Sequence, residues 1–205
     1  NLPTLEYAVK DAKDIAGVLK GYDFDEVSLL TDARATKQTI VNELLRFKSE
    51  SEENDLFVFY FAGHGTAVSD HEGKERGYLI PVDFKDENNI DEQGISMGLF
   101  KDICDTMPNK HILFLVDCCY SGYGLTRSYA IKKEPEGDDI REYLDAVTGA
   151  RAVQLLTAGG KNDLAHEREG HGIFTSYLLD VLEGKTIHKD DGVVSTLEMA
   201  SYIKQ

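Results

Sequence analysis

Apolar residues recur along this chain in two periods, one helical and one extended, and the changes of period mark out its elements. Residues 5–19, LEYAVKDAKDIAGVL, set Leu5, Ala8, Val9, Ala12, Ile15, Ala16 and Leu19 at helical spacing, with Gly21 to close the segment. A second amphipathic helix is predicted over residues 36–50, TKQTIVNELLRFKSE, and EVSLL at 26–30 reads as a short strand between them. The run Leu56 to Ala62 is continuously apolar, which suits a strand covered on both faces, as in a parallel sheet. HILFLVD at 111–117 and AVQLLTA at 152–158 have the same character, and GYLIPVD at 77–83 is a shorter strand closed by Pro81. Helices are predicted for GISMGLFKDICDTM at 94–107, for IFTSYLLDVLEG at 173–184, and for TLEMASYIKQ at the end, where Ser195 and Glu198 have capping-box spacing.

Strands that alternate with helices give an α/β class with a mainly parallel sheet. No segment repeats another. One stretch, residues 122–150, lacks a clear pattern; it is polar, holds Pro135 and Gly137, and carries Arg127, Lys132 and Lys133. Patternless stretches of that length in compact domains are usually functional or mobile.

Composition narrows the classes of function. The chain of 205 residues is 41% hydrophobic and 29% charged, an ordinary balance for a soluble globular domain. No apolar run approaches the roughly 18 residues of a membrane span. No signal-peptide pattern opens the chain, although NLPTLEYAVKDA reads as the middle of a domain, which leaves room for an upstream address. Against 22 basic residues stand 37 acidic ones, a net charge of −15. That field repels nucleic acid and attracts a cationic substrate, besides giving solubility. The three cysteines, Cys104, Cys118 and Cys119, make neither a disulfide framework nor a zinc-ligand spacing, which fits a reducing, cytoplasmic location.

Ligands of open α/β sheets bind beyond the carboxyl ends of the strands. Two of the apolar runs end in reactive residues: AGHG delivers His64 between Gly63 and Gly65, and DCCYSG delivers the paired cysteines. If the strands are parallel neighbours, a base and a nucleophile emerge at one edge. A thiol of ordinary pKa near ~8.5 gains thiolate from an imidazole beside it. The glycines permit close approach of substrate, and Gly63 or Gly65 offers an N–H to a developing oxyanion. Side chains alternate along a strand, so Asp117 and Cys119 point one way and Cys118 the other. Cys119 is therefore the expected nucleophile and Cys118 a packed neighbour. From DCC alone, two structural thiols explain the pair equally well; the strand-end histidine weighs against that reading.

The pair FYFAGHGT and DCCYSG resembles the caspase-like cysteine peptidases, in their metacaspase or orthocaspase branch. The QACRG-type motif of true caspases is absent. LEYAVKDA resembles the family's first-helix motif, YLIPVD the segment after the catalytic histidine, and AVQLLTAGGKNDLAHE with GHGIFTSYLLDVLEG the small-subunit strand and helix. The resemblance implies a three-layer caspase-like sandwich in a single domain. Residues 1–123 are large-subunit-like, 124–150 a variable linker loop and 151–205 small-subunit-like, and the family's first strand is expected upstream of residue 1.

It also implies roles. His64 matches the catalytic histidine and Cys119 the nucleophile. Asp117 and Asp11 match two acids of a specificity pocket, which implies cleavage of protein substrates after Arg or Lys. Ala62 replaces a serine found in many metacaspases and is expected to alter the pocket without removing catalysis. The resemblance implies no cofactor. Calcium activation, found in part of the family, is opposed by Arg76 at a position where an acid is expected, although Asp91 and Glu92 remain as oxygen donors. The basic residues of the 124–150 loop suit self-cleavage, and the family's setting is regulated proteolysis, defence or cell death, with a regulatory partner or flanking domain. An inactive caspase-like scaffold is the alternative of another class. His71, His111, His166, His171 and His188 are read as surface or satisfied-core residues, and Met97, Met107 and Met199 as packing.

Overall fold

Each of the three long apolar runs becomes a strand of one parallel sheet, and the amphipathic segments cover its two faces. The computed structural model describes residues 2–69, 73, 75–118, 149, 151–158, 167–168, 170–185 and 196–203. Along the chain run α1 (Ala8–Gly21), α2 (Lys37–Glu50), β1 (Leu56–Ala62), β2 (His64–Ser69), β3 (Glu75–Ile80), the short α3 (Ile90–Gln93) and β4 (Ile95–Ser96). They are followed by α4 (Met97–Thr106), β5 (His111–Asp117), β6 (Ala152–Thr157), β7 (Glu167–Arg168), β8 (His171–Gly172), α5 (Ile173–Leu182) and α6 (Thr196–Ile203).

The central sheet has the order β1-β5-β6, all parallel. Alternation sorts its side chains into two cores. Phe57, Ile112, Phe114 and Val116 face α2 and α4 and meet Ile40, Leu44, Phe100 and Ile103. Leu115 and Leu156 face the other way, against Ile15 of α1, Phe174 and Leu178 of α5, and Met199 of α6. Helices therefore lie on both faces of a mainly parallel sheet, as the sequence led us to expect.

Caps fix where the helices start. The Thr36 hydroxyl accepts from the Thr39 N–H at 3.2 Å ahead of α2, and the Ser96 hydroxyl accepts from the Leu99 N–H at 3.2 Å ahead of α4. The helix predicted from residue 94 therefore begins later. Ile95 and Ser96 are taken instead by pairing with Leu79 and Tyr78 of β3.

Two further expectations differ from the structure. His64 opens a strand: β2 pairs antiparallel with β3, His64 opposite Ile80, in a second small sheet ordered β2-β3-β4. The predicted strand at 26–30 does not form. Extended backbone needs partners for its N–H and C=O groups. Val27, Leu29 and Leu30 instead line a groove of about 980 Å³ together with Phe57, Phe59 and Phe61 of β1, and the Leu29 carbonyl accepts from the Arg34 guanidinium. Among the described residues no helix is long and apolar enough to cross a membrane.

Candidate active site

The register of β1 on β5 sets the site. Ala62 lies opposite Asp117, so the chain leaves both strands at the same level. The Gly63 N–H donates to the Asp117 carbonyl at 3.1 Å and closes the ladder there. That bond occupies the Gly63 donor, so Gly63 ties the two strand ends together and is not the free oxyanion donor the sequence allowed. Gly65 lies one residue into β2, opposite Leu79. A Cβ at Gly63 would stand 2.6 Å from the Phe61 ring, so a larger residue there would push that ring aside.

His64 follows at once. Its Nε2 lies 2.7 Å from the Pro3 carbonyl oxygen. A carbonyl only accepts, so Nε2 carries the hydrogen, and Nδ1 of the neutral ring keeps the lone pair. The loop ahead of α1 thus selects the tautomer of a histidine sixty-one residues away.

Alternation continues past the end of β5. Cys118 joins Ile112, Phe114 and Val116 in one core and is 4% exposed, whereas Asp117 turns to the opposite face. Cys118 is thus a packed neighbour. Cys104, also buried, has its thiol pushed up to about 11 by burial. Cys119 lies outside the described residues, as do Arg127, Lys132, Lys133, Ser195, His71, His166 and His188.

Asp117 and Asp11 come together. Asp11, from the first turn of α1, is 3% exposed. Its Oδ1 lies 2.6 Å from His171 Nδ1, and its Oδ2 accepts from the Gly172 N–H at 3.2 Å. Asp117 Oδ2 accepts from the Thr175 hydroxyl at 2.5 Å. The Tyr60 hydroxyl lies 2.5 Å from that same Thr175 oxygen, and since Thr175 gives its proton to Asp117, Tyr60 is the donor to Thr175. A Cβ on Gly172 would stand 2.7 Å from Asp117 Oδ2 and 3.4 Å from Asp11 Oδ2, so both carboxylates flank one bare Cα. Burial first, and the Asp11 charge with it, raise the Asp117 carboxyl to about 6, against the pull of the Thr175 bond. Burial and the same two carboxylates raise the Tyr60 hydroxyl, which keeps it a donor.

His171, Gly172, Thr175 and Tyr60 were not singled out as site residues by the sequence reading. One signal for His171 was present: a histidine between two glycines occurs twice, at Gly63-His64-Gly65 and at Gly170-His171-Gly172.

Among the described residues near Arg76, the oxygens of Asp91 and Glu92 are engaged by other groups of the chain. Asp91 accepts from the Tyr78 hydroxyl, and the Arg76 side chain bears on that hydroxyl too. The Lys37 ammonium donates to the Glu92 carbonyl at 2.6 Å and reaches the Asp91 carbonyl at 3.5 Å. Lys37 thus already takes up the Asp91 and Glu92 backbone carbonyls, and Tyr78 the Asp91 carboxylate. Among the described residues no group of three or more His, Cys, Asp or Glu is placed to hold a metal.

The sequence matches the family described as "Caspase domain" over residues 1–200. Metacaspase-1 of Meyerozyma guilliermondii is 28% identical over 159 residues, covering 71% of this chain and 38% of that protein. Metacaspase-1A of Aspergillus clavatus is 26% identical over 194 residues, covering 80% of this chain and 44% of that protein. The chain thus spans less than half the length of these curated relatives. Among solved structures, protein GSU0716 of Geobacter sulfurreducens superposes with a TM-score of 0.65 at 17% identity, over 98% of this chain and 79% of that one, a likeness of fold.

Proposed function

This chain belongs to the caspase-domain family, and on that footing we propose that it is the catalytic part of a cysteine endopeptidase that cuts proteins after Arg or Lys. The observation that supports the reading is the level ending of β1 and β5, Ala62 opposite Asp117, which puts His64 just past the sheet edge where Asp117 lies, with Asp11 and Asp117 flanking Gly172.

In this reading His64 Nδ1 takes the proton of the Cys119 thiol. The sulfur bonds to the scissile carbonyl carbon, and N–H groups of Gly65 and Cys119 hold the oxyanion. The C–N bond then breaks as His64 returns the proton to the leaving amine. Water, activated by the same imidazole, hydrolyses the thioester and restores the thiol. The Pro3 carbonyl keeps the ring in the required tautomer throughout. Asp11 and Asp117 receive the guanidinium or ammonium group before the scissile bond through charge-assisted hydrogen bonds. Arg127, Lys132 and Lys133 make the 124–150 segment a substrate for the same specificity, hence self-cleavage. The reaction requires no metal.

The test is hydrolysis of a matched peptide set with Arg, Lys, Asp or Ala before the scissile bond, by the full-length protein, with and without calcium. Cleavage after Arg and Lys is expected, lost in Cys119→Ala, kept in Cys118→Ala and unchanged by calcium. Iodoacetamide is expected to label Cys119 well ahead of the buried Cys104. Preference for Asp would overturn the pocket. Activity surviving in Cys119→Ala would overturn the nucleophile, and a silent set with slow labelling of Cys119 would favour a scaffold.

A further inference from the structure

We propose that His171 is a positioning residue for substrate recognition: its imidazole, pinned by Lys10, holds the Asp11 carboxylate at the angle that receives a basic side chain. The assignment rests on the reading of Asp11 and Asp117 as the specificity pocket.

The geometry is directional. Lys10 Nζ lies against the imidazole, within hydrogen-bond reach of His171 Nε2 and 3.5 Å from Nδ1, and an ammonium group only donates. Nε2 is therefore the acceptor, and Nδ1 carries the hydrogen given to Asp11 Oδ1 at 2.6 Å. The second carboxylate oxygen of Asp11 accepts from the N–H of the next residue, Gly172, at 3.2 Å. One two-residue strand thus supplies a donor to each oxygen and fixes the carboxylate plane. Gly170, at φ 78°, makes the turn that presents this strand. Asp14, one turn further along α1, holds Lys10 in place, its Oδ2 2.9 Å from Lys10 Nζ.

Why a histidine is needed follows from where Asp11 sits. The Asp11 side chain is 4% exposed and the imidazole 14% exposed, so little water is available to replace a lost donor. Without the Nδ1–H, Asp11 keeps one bond and is free to rotate towards Asp117, whose Oδ2 already crowds Gly172. The pocket would then collapse onto a shared proton between the two acids, and its attraction for a cation would fall. Nothing in this chain of contacts touches His64. The effect is therefore confined to the binding of the basic side chain and leaves the proton transfers alone.

The experiment compares His171→Ala, His171→Asn and His171→Gln in the full-length protein, with Asp117→Asn beside them, on Arg and uncharged peptides. Losing a bond to a buried charged group predicts a KM for the Arg peptide raised about tenfold in His171→Ala, with kcat little changed. The amide nitrogen of Asn falls near the place of Nδ1 and that of Gln near Nε2. His171→Asn is therefore expected to restore KM and His171→Gln to leave it high. A role in packing alone predicts the reverse order, since Gln fills the space better. Should His171→Ala fail to fold, the Asn and Gln pair decides the matter. Equal KM values for Asn and Gln, or a loss confined to kcat, would overturn the assignment. If Asp117→Asn keeps the preference for Arg, the pocket reading itself fails, and this assignment fails with it.

Discussion

Asp117 is held by the hydroxyl and the backbone of Thr175 in a place that disfavours its charge, and that tension has consequences for stability and for binding. Its carboxyl titrates at about 6 in the folded chain, raised from the usual 3.8 chiefly by burial. Between those values the folded state binds more protons than the unfolded one, so stability is full below about pH 4 and declines as pH rises through 6. At about 1.4 kcal/mol for each tenfold change in proton affinity, the cost at neutral pH is about 3 kcal/mol. Asp117→Asn keeps an acceptor for Thr175 and sheds the charge. The variant is expected to unfold at higher urea than wild type at pH 8 and with little difference at pH 4. It is also expected to lose its preference for Arg over an uncharged analogue. In the wild type that preference rises as pH passes 6, because only then does the pocket carry its second charge. A preference flat from pH 5 to 8, alongside wild-type kcat, would refute the account. The resemblance carried by DCC and VKDA implied a pocket with both acids and a preference for Arg or Lys, but not the burial of Asp117 or the groups that hold the two carboxylates. Alternation along the strand placed Asp117 and Cys118 on opposite faces, but the partners of the two acids come from α5 and β8, more than fifty residues away.

At the level of elements, what was legible depended on how each segment is satisfied. The apolar strands β1, β5 and β6 declare themselves because both faces are covered and no polar alternation is needed. Thr36 and Ser96 end up as caps because their hydroxyls meet orphan N–H groups. The sequence HGTAVS carries neither period, and only pairing with β3 makes it a strand. EVSLL has the right composition but pairs with no strand among the described residues, so composition alone misplaces it. The aromatic cluster behind the site shows where packing matters most. Phe114 is 5% exposed, and its ring centroid lies 5.4 Å from that of Phe100, 5.6 Å from Phe59 and 6.4 Å from Phe57. Phe114→Ala is expected to cost about 3–5 kcal/mol. Leu56→Ala, at a strand end that is 52% exposed, is expected to stay within about 0.5 kcal/mol of wild type. Urea denaturation of both variants checks the contrast, and equal shifts would mean that the β1–β5 layer is not the centre of stability.

Across the whole molecule, the charge of −15 was the feature easiest to read and hardest to interpret, because acidic surfaces are common for solubility alone. The buried pair of acids gives it a second meaning. On the proposed specificity, a diffuse negative field would gather cationic peptides before the pocket selects among them, and these two effects would respond differently to salt. The field reaches about 30 Å at 0.01 M salt and about 10 Å at 0.1 M, whereas contacts inside the pocket are screened little. Raising salt from 0.01 to 0.15 M is therefore expected to lower kcat/KM for an Arg peptide several-fold, with an uncharged peptide nearly unaffected. Asp117→Asn separates the two contributions. It removes only one negative charge from the field, so its residual activity on the Arg peptide should fall with salt along nearly the wild-type slope, from a much lower starting value. A slope that vanishes with Asp117 would mean that attraction comes from the pocket alone and that the remaining acidic surface serves solubility.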